Sequence, residues 1–529
     1  MTTKKSNDQT KEKSLANQVM ELILKDCELV HNEQKEAYVL VNKSGIRQVF
    51  DVRSKSFSDW ISNKYYTSKK SALPEASVKT VIGTLAGKAV YEGKTVEIFT
   101  RIAKTEDGYW LDLCNEKWEA VLINKAGWQV LSGNTIPLFS RSNSMQPIPT
   151  PIAGGSIDPL WDLVNIPVEV RLIVVAWLLE CLREDTPHVV MEFVGEQGSA
   201  KSTTQKLLKM LIDPNIANLR AAPKKVEDVW IGAINCHLIS FENISYLGQE
   251  YQDALCVMAT GGAHATRTLY TNKEEVIIEL RKPIILNGIT VNVTAQDLLD
   301  RSLHIELQPV KSRLQSKDVE EDFALQYAQI VGALLDQFVS ALKFLDNVTI
   351  ADADKPRMVD FAYLGEAVFQ ANGYAVGTFI ELYKSMRQKG VYRTIESLPV
   401  GLALLTYLEN RPEGWSGKLI ELLAQLNAQK PSGETNWPKS AKGMGDVLRR
   451  LSPALRTLGF NCKSNQKTSG SIIWEISPIP PKVLNQCPTS PSSPENDSDL
   501  DQGKLGHEGH SGHGNHSFDD GDDLEPFTV

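Results

Sequence analysis

The stretch HVVMEFVGEQGSAKSTTQKLLKML, residues 188–211, decides the fold. HVVMEFV is largely apolar and valine-rich, the pattern of a strand buried on both faces of a parallel sheet. It runs into Gly195, Glu196, Gln197, Gly198, Ser199, Ala200, Lys201, Ser202 and Thr203, and a helix-spaced segment follows. A glycine-rich turn between strand and helix presents backbone N–H groups and a helix N-terminus, which together hold phosphate oxygens. Lys201 puts a point charge on the β- and γ-phosphates, and the Ser202 hydroxyl is a ligand for Mg²⁺. Residues 195–203 are therefore the expected nucleotide-binding loop, with ATP and Mg²⁺ as cofactors. One position departs from the pattern: the glycine usual before the lysine is Ala200. Alanine serves there if the backbone needs no positive φ.

A phosphate loop needs a carboxylate at the end of a neighbouring strand to hold the metal. CHLISFENIS (236–245) supplies Glu242 as that carboxylate, beside Ser202. Asn243 falls where a water-activating glutamate is common, and an amide cannot take a proton. The base is then Glu242 itself or a residue elsewhere. RKPIILNGI (281–289) is an apolar strand ending in Asn287, either a γ-phosphate sensor or a simple turn asparagine. TAQDLLDRSLHIEL (294–307) carries Arg301, either an arginine finger for a neighbouring subunit or the partner of Asp297 or Asp300. KPRMVDF (355–361) adds Arg357, a candidate lid arginine.

Taken together and in this order, these motifs resemble AAA+ ATPases of the helicase clade. That clade includes the superfamily 3 and minichromosome maintenance helicases. The likeness is strongest to replication proteins of phages and integrating elements. DALCVMATGGAHATRTLY (253–270) adds to it, and the resemblance covers about 160–480. It implies an ATP-dependent DNA helicase or translocase working as a homo-hexamer, with single-stranded DNA in the pore. The alternative is an ATP-binding initiator or regulator that assembles on DNA with little unwinding. The resemblance also implies a pore hairpin: HATRTLY (264–270), a polar tip and EVIIEL (275–280) fit one. Arg267, Lys273 and His264 then contact the DNA backbone, unless this is an ordinary solvated hairpin.

A second basic element lies near the C-terminus. WSGKLIELLAQL (415–426) reads as an amphipathic helix. KSAKGMGDVLRRLSPALRTLGF (439–460) reads as a second helical stretch, kinked or divided at Pro453. FNCKSN and SIIWEI then make a two-stranded wing. Residues 437–470 hold Lys439, Lys442, Arg449, Arg450, Arg456, Lys463 and Lys467 against Asp446 alone. Such a winged helix fits the phosphates of a duplex or fork, or a protein contact.

The whole is a multidomain α/β chain of 529 residues, 42% hydrophobic, ample for several cores. The expected divisions are a disordered leader (1–16), an α+β domain (17–146), a linker (147–157) and an AAA+ parallel-sheet core (158–310). A helical lid (311–395), a winged-helix domain (396–476) and a disordered acidic tail (477–529) follow. In the α+β domain, VMELILKDCELV reads as one helix and TVEIFTRIA as one strand. The net charge of −9 sits in residues 495–529, with ten acids against Lys504, so the rest holds 55 acids and 55 bases. A neutral body with a local basic face does not exclude nucleic acid. Seven cysteines without CxxC spacing speak against a disulfide framework or zinc ribbon. No apolar leader and no 20-residue apolar run is seen, so the expectation is a cytoplasmic protein without a membrane partner. Four histidines at 507, 510, 513 and 516 carry no metal-site expectation. The end, SFDDGDDLEPFTV, is a solubilising tail or a docking motif for a replication partner.

Overall fold

The computed structural model describes residues 14–43, 45–267, 275–290, 292–310, 315–396, 398–435, 437–466 and 472–479, with only the backbone of 264–267, 275–277 and 466. The acidic tail from 480 onward, its histidines, most of the leader and Lys273 lie outside these residues.

The centre is a five-stranded sheet in which every neighbouring pair runs parallel. Its strands are β1 (Val190–Val194), β2 (Arg220–Ala221), β3 (Ile239–Ile244), β4 (Ile284–Gly288) and β5 (Ser302–Glu306), in the order β2-β3-β4-β1-β5. Side chains of a strand alternate between faces, and here both faces are covered. Met191, Phe193 and Ile285 enter one core, shared with helix Arg171–Glu180 and the helices that follow β5. Val190, Ile284 and Leu286 enter the other, shared with residues 391–476. This explains why β1 and β4 read as largely apolar runs; the one charge in β1, Glu192, is buried against His304. Helix α1 (Lys201–Ile212) follows β1 directly and packs on this sheet.

Helix α2 (Ser316–Leu345) is long and apolar enough by composition to cross a membrane. Its Phe323, Ile330, Leu334 and Phe338 are instead buried in the first core. Helix α3 (Thr378–Glu396) follows and lies against β5.

Residues before the sheet form two layers. One is a four-stranded sheet flanked by helices Leu15–Ile23, Lys55–Lys69 and Glu75–Glu92; the other is an antiparallel meander from Ile102 to Leu131. VMELILKDCELV is not one helix. It stops at Ile23, and Cys27–His31 pairs in register with Ala37–Lys43. Cross-strand pairing outweighed the helical spacing of the preceding residues. TVEIFTRIA likewise contains a break: strands cover Lys94–Thr95 and Ile102–Thr105, and Arg101 between them turns inward.

Arg101 ties these layers to the central unit. It is wholly buried, with Nε 3.1 Å from Asp213 Oδ1, and it donates to the carbonyls of Asp112, Gln146 and Pro214. Asp213 is the residue that ends α1. It also binds Lys209 at 3.2 Å and accepts the backbone N–H groups of His237 and Leu238. Burial alone would raise its pKa, but Lys209 and Arg101 hold the carboxyl well below its usual range.

The C-terminal unit runs helix Pro399–Glu409, strand Trp415–Gly417, helix Leu419–Leu426, helix α4 (Ala441–Thr457) and strands Phe460–Gln466 and Ile472–Pro478. WSGKLIELLAQL is therefore not helical from its start. Trp415–Gly417 adds a third strand to the hairpin, and the helix begins after Lys418, whose backbone N–H donates to the Glu421 carboxylate at 3.2 Å. Pro453 sits inside α4 without dividing it.

Candidate nucleotide and nucleic-acid site

The glycine-rich loop leaves β1 at the carboxyl end of the sheet, where open α/β sheets bind their ligands. Its glycines are required sterically. A Cβ on Gly195 would lie 2.4 Å from the Leu307 carbonyl, and Gly198 has φ 88°. Ala200 does adopt a left-handed backbone, φ 56° and ψ 26°, at the N-cap of α1. The tolerance expected for alanine thus fails on its own condition, and the residue carries strain a glycine would avoid. Lys201 Nζ folds over the loop, donating to the carbonyls of Gly195 (2.7 Å) and Glu196 (2.9 Å). Partial burial lowers its pKa. Ser199 Oγ donates to Glu196 O at 2.9 Å, and Ser202 and Thr203 sit in the first turn of α1.

A cavity of about 610 Å³ opens beside this loop, lined among others by Trp161, Asn165, Arg171, Gly198, Thr203 and Val310. Asn165 fastens its wall to the loop, donating through Nδ2 to Ser199 O (2.9 Å) and Gln308 O (2.6 Å). Arg171 stacks over the Trp161 ring, 5.3 Å from its centroid. An aromatic ring, a cation and apolar side chains next to a phosphate cradle can take a purine and its ribose. The sequence reading missed these residues; DPLWDLVNIP has no spacing that marks a ligand wall.

Glu242 and Asn243 lie among the last residues of β3, just before Ile244, and Asn287 lies on β4 between β3 and β1. Glu242 is partly exposed and Asn243 has φ 52°, in a register slip between Phe241 and Ile244. Asn287 is 2% exposed, and Oδ1 of its side chain accepts the Asn243 N–H at 2.8 Å. The donor set of Ser202 and Glu242 is all oxygen, which suits Mg²⁺.

Arg301 and Arg357 converge on one carboxylate. Asp297 accepts from Arg301 at 2.6 Å, from Arg357 at 2.7 Å and from the Cys256 thiol at 2.8 Å. Those hydrogen bonds, Arg301 first, hold the Asp297 pKa at about 2. Asp300 pairs instead with Arg387 of α3 at 2.9 Å. Arg301 is thus engaged within its own chain, one of the two arrangements its neighbours allowed.

Gly262–Arg267 and Glu275–Leu280 form an antiparallel hairpin in which Arg267 pairs with Glu275. Its tip, with Lys273, lies outside the described residues. In the C-terminal unit Lys439, Lys442, Arg450, Arg456 and Lys463 are all exposed. Arg449 is also exposed but partnered, bonded to Asp446 at 2.5 Å and lying 5.8 Å over the Trp474 ring.

Two family models match the chain. Residues 157–385 match the actinomycete integrative conjugative element replication protein, and residues 400–492 match the C-terminal domain of the same RepA family. No curated protein matches. Among solved structures, the SCCmec type IV Cch active helicase is similar at 10% identity with a TM-score of 0.45, covering 85% of this chain and 92% of its own. The apo NrS-1 C-terminal region is similar at 12% identity with a TM-score of 0.38, covering 88% of this chain and 100% of its own. Likenesses this loose carry no argument about mechanism. The two models describe the replication protein RepA and its C-terminal domain and together take in more than half of the residues, and the chain belongs to the family of integrative conjugative element replication proteins.

Proposed function

We propose that this protein is an ATP-dependent DNA helicase or translocase that acts in replication of its mobile element. The observation that carries this reading is the loop 195–203 with Lys201, set beside a cavity of about 610 Å³ and sharing one sheet end with Glu242 and Asn287. The strand order, with the loop strand between β4 and β5, supports an AAA+ core. The order helix, short strand, two helices and two long strands supports a winged helix at 399–478.

ATP fits the residues present. The loop amides and the N-terminus of α1 face the phosphates, and Lys201 exchanges the Gly195 and Glu196 carbonyls for β- and γ-oxygens. Trp161 and Arg171 hold the base. Ser202 and Glu242 hold Mg²⁺, which supplies charge neutralisation on the transferring phosphoryl group. Glu242 orients the attacking water, since Asn243 cannot accept a proton. Arg301 reaches the nucleotide of a neighbouring subunit in a homo-hexamer once Asp297 releases it. Single-stranded DNA runs through the pore past the hairpin, with Arg267 and Lys273 on its backbone. Lys439, Lys442, Arg450, Arg456 and Lys463 hold the duplex or fork. The protein works in the cytoplasm, and the acidic tail serves a replication-protein partner.

The second reading, an ATP-binding initiator that barely turns over, is favoured by Asn243 and by the engagement of Arg301 with Asp297. Nucleotide binding and hydrolysis by Lys201→Ala and Glu242→Gln test the first reading. Lys201→Ala should lose binding or turnover; Glu242→Gln should bind ATP and lose Mg²⁺-dependent hydrolysis. Wild-type turnover in both would remove the assignment.

A further inference from the structure

A chain of carboxamides joins the phosphate-loop helix to the end of β3. Gln205 lies one helical turn after Lys201 and is fully buried. Its Nε2 is 2.8 Å from Ser240 Oγ, 3.0 Å from Phe241 O and 3.3 Å from Ile285 O. Its Oε1 accepts from Asn287 Nδ2 at 2.6 Å, and Asn287 Oδ1 accepts the Asn243 N–H at 2.8 Å.

The two ends dictate how both amides are oriented. Phe241 O and Ile285 O cannot donate, so the NH₂ of Gln205 must face them. The N–H of Asn243 must find an acceptor, so Oδ1 of Asn287 must face it. Only one polarity satisfies both ends, and flipping either amide sets like groups against each other. The chain terminates on the backbone of Asn243, where φ is 52° and the register of β3 slips. Glu242 lies inside that slip. A left-handed asparagine in a strand is strained and persists only where its surroundings hold it.

We propose that Gln205 is a positioning residue, which transmits the placement of the phosphate-loop helix through Asn287 to the Asn243 backbone and so aims Glu242. The proposal rests on the nucleotide reading above. It gives Asn287 a structural task besides any contact with a terminal phosphate. A shift of phosphates at Lys201 moves α1, and Gln205 is the group on α1 that bonds to β3 and β4 at once.

The test uses the full-length protein. Gln205→Met keeps the length and removes the amide. Asn287→Ser removes the bridge from the other side and serves if the first variant loses its fold, as judged by circular dichroism. ATP-analogue affinity, kcat and the Mg²⁺ dependence of kcat are measured for each, for the double variant and for wild type. A misaimed carboxylate should lower kcat by about 10²-fold and raise the Mg²⁺ requirement. Analogue affinity of Gln205→Met should stay within about threefold, because the loop itself is untouched. The double variant should be no slower than the slower single one, since both break one chain. Unchanged kcat in a folded Gln205→Met, or losses that multiply in the double variant, would overturn the relay while leaving the nucleotide site standing. Absence of nucleotide binding by wild type would overturn the nucleotide reading and the relay together.

Discussion

Replacing Ala200 by glycine should stabilise the phosphate loop. The left-handed backbone at this position brings Cβ against the following carbonyl, at a cost of about 1–2 kcal/mol for an L-residue. Glycine removes that cost but gives back about 0.4–1 kcal/mol through the greater freedom of the opened chain. The residue also caps α1, where glycine is better tolerated than alanine. The net expectation is a gain of about 0.5–1 kcal/mol, a factor of roughly 2–5 in a local opening equilibrium. Global melting of so large a unit would dilute the effect, whereas hydrogen–deuterium exchange of the first turn of α1 reads it directly. Exchange at residues 201–204 should slow by that factor in Ala200→Gly. Ala200→Val, with a branched Cβ in the same conformation, should exchange faster than wild type. Equal or faster exchange in Ala200→Gly would refute the left-handed geometry and the strain argued from it.

Other perturbations have distinct readouts. Asp213→Ala leaves Arg101 and Lys209 buried without their counter-charge and should cost about 3–5 kcal/mol in denaturant unfolding, far more than an exposed Asp446→Ala. His237 is buried, and burial above all depresses its pKa from 6.5 to about 3. The unfolded chain therefore binds a proton that the folded chain refuses, so stability should fall as pH drops from 6.5 towards 3. That loss reaches about 4 kcal/mol, and His237→Gln should shrink the pH slope by about one proton. Asp297→Asn should release Arg301 and Arg357; if Arg301 acts on a neighbouring subunit, hydrolysis should rise with protein concentration more steeply than in wild type. Removing Lys442, Arg450 and Arg456 together should lower the salt slope of DNA binding by up to about three units. Arg449→Gln should change it less, because Asp446 already neutralises that charge.

The loop, the acidic strand end and Asn287 were legible because each is a polar motif closing an apolar strand, a pattern carried by neighbouring residues. The parallel sheet followed from β1 and β4, whose largely apolar side chains have no other outlet than burial on both faces. What escaped was set by contacts far apart in sequence. Trp161 and Arg171 wall the cavity beside a loop that Asn165 ties to their segment through Ser199, 34 residues later. Gln205 looked like one more polar residue on a helix; its three acceptors come from two strands that only the fold brings to it. The strand at Cys27–His31 was hidden inside a helical pattern because its partner, Ala37–Lys43, determined its conformation. Trp415–Gly417 was missed for the same reason, since it pairs with Ile472–Pro478.

The central claim is that ATP turnover at the loop drives movement along DNA. Strand displacement on a forked duplex, with ATP, Mg²⁺ and either wild type or Lys201→Ala, tests it most directly. The account predicts displacement by wild type that requires ATP, stops with a non-hydrolysable analogue and is lost in Lys201→Ala, together with ATPase activity stimulated by single-stranded DNA. Wild-type protein that binds ATP and the fork tightly but displaces no strand would contradict it, and would leave an ATP-dependent assembly switch in its place.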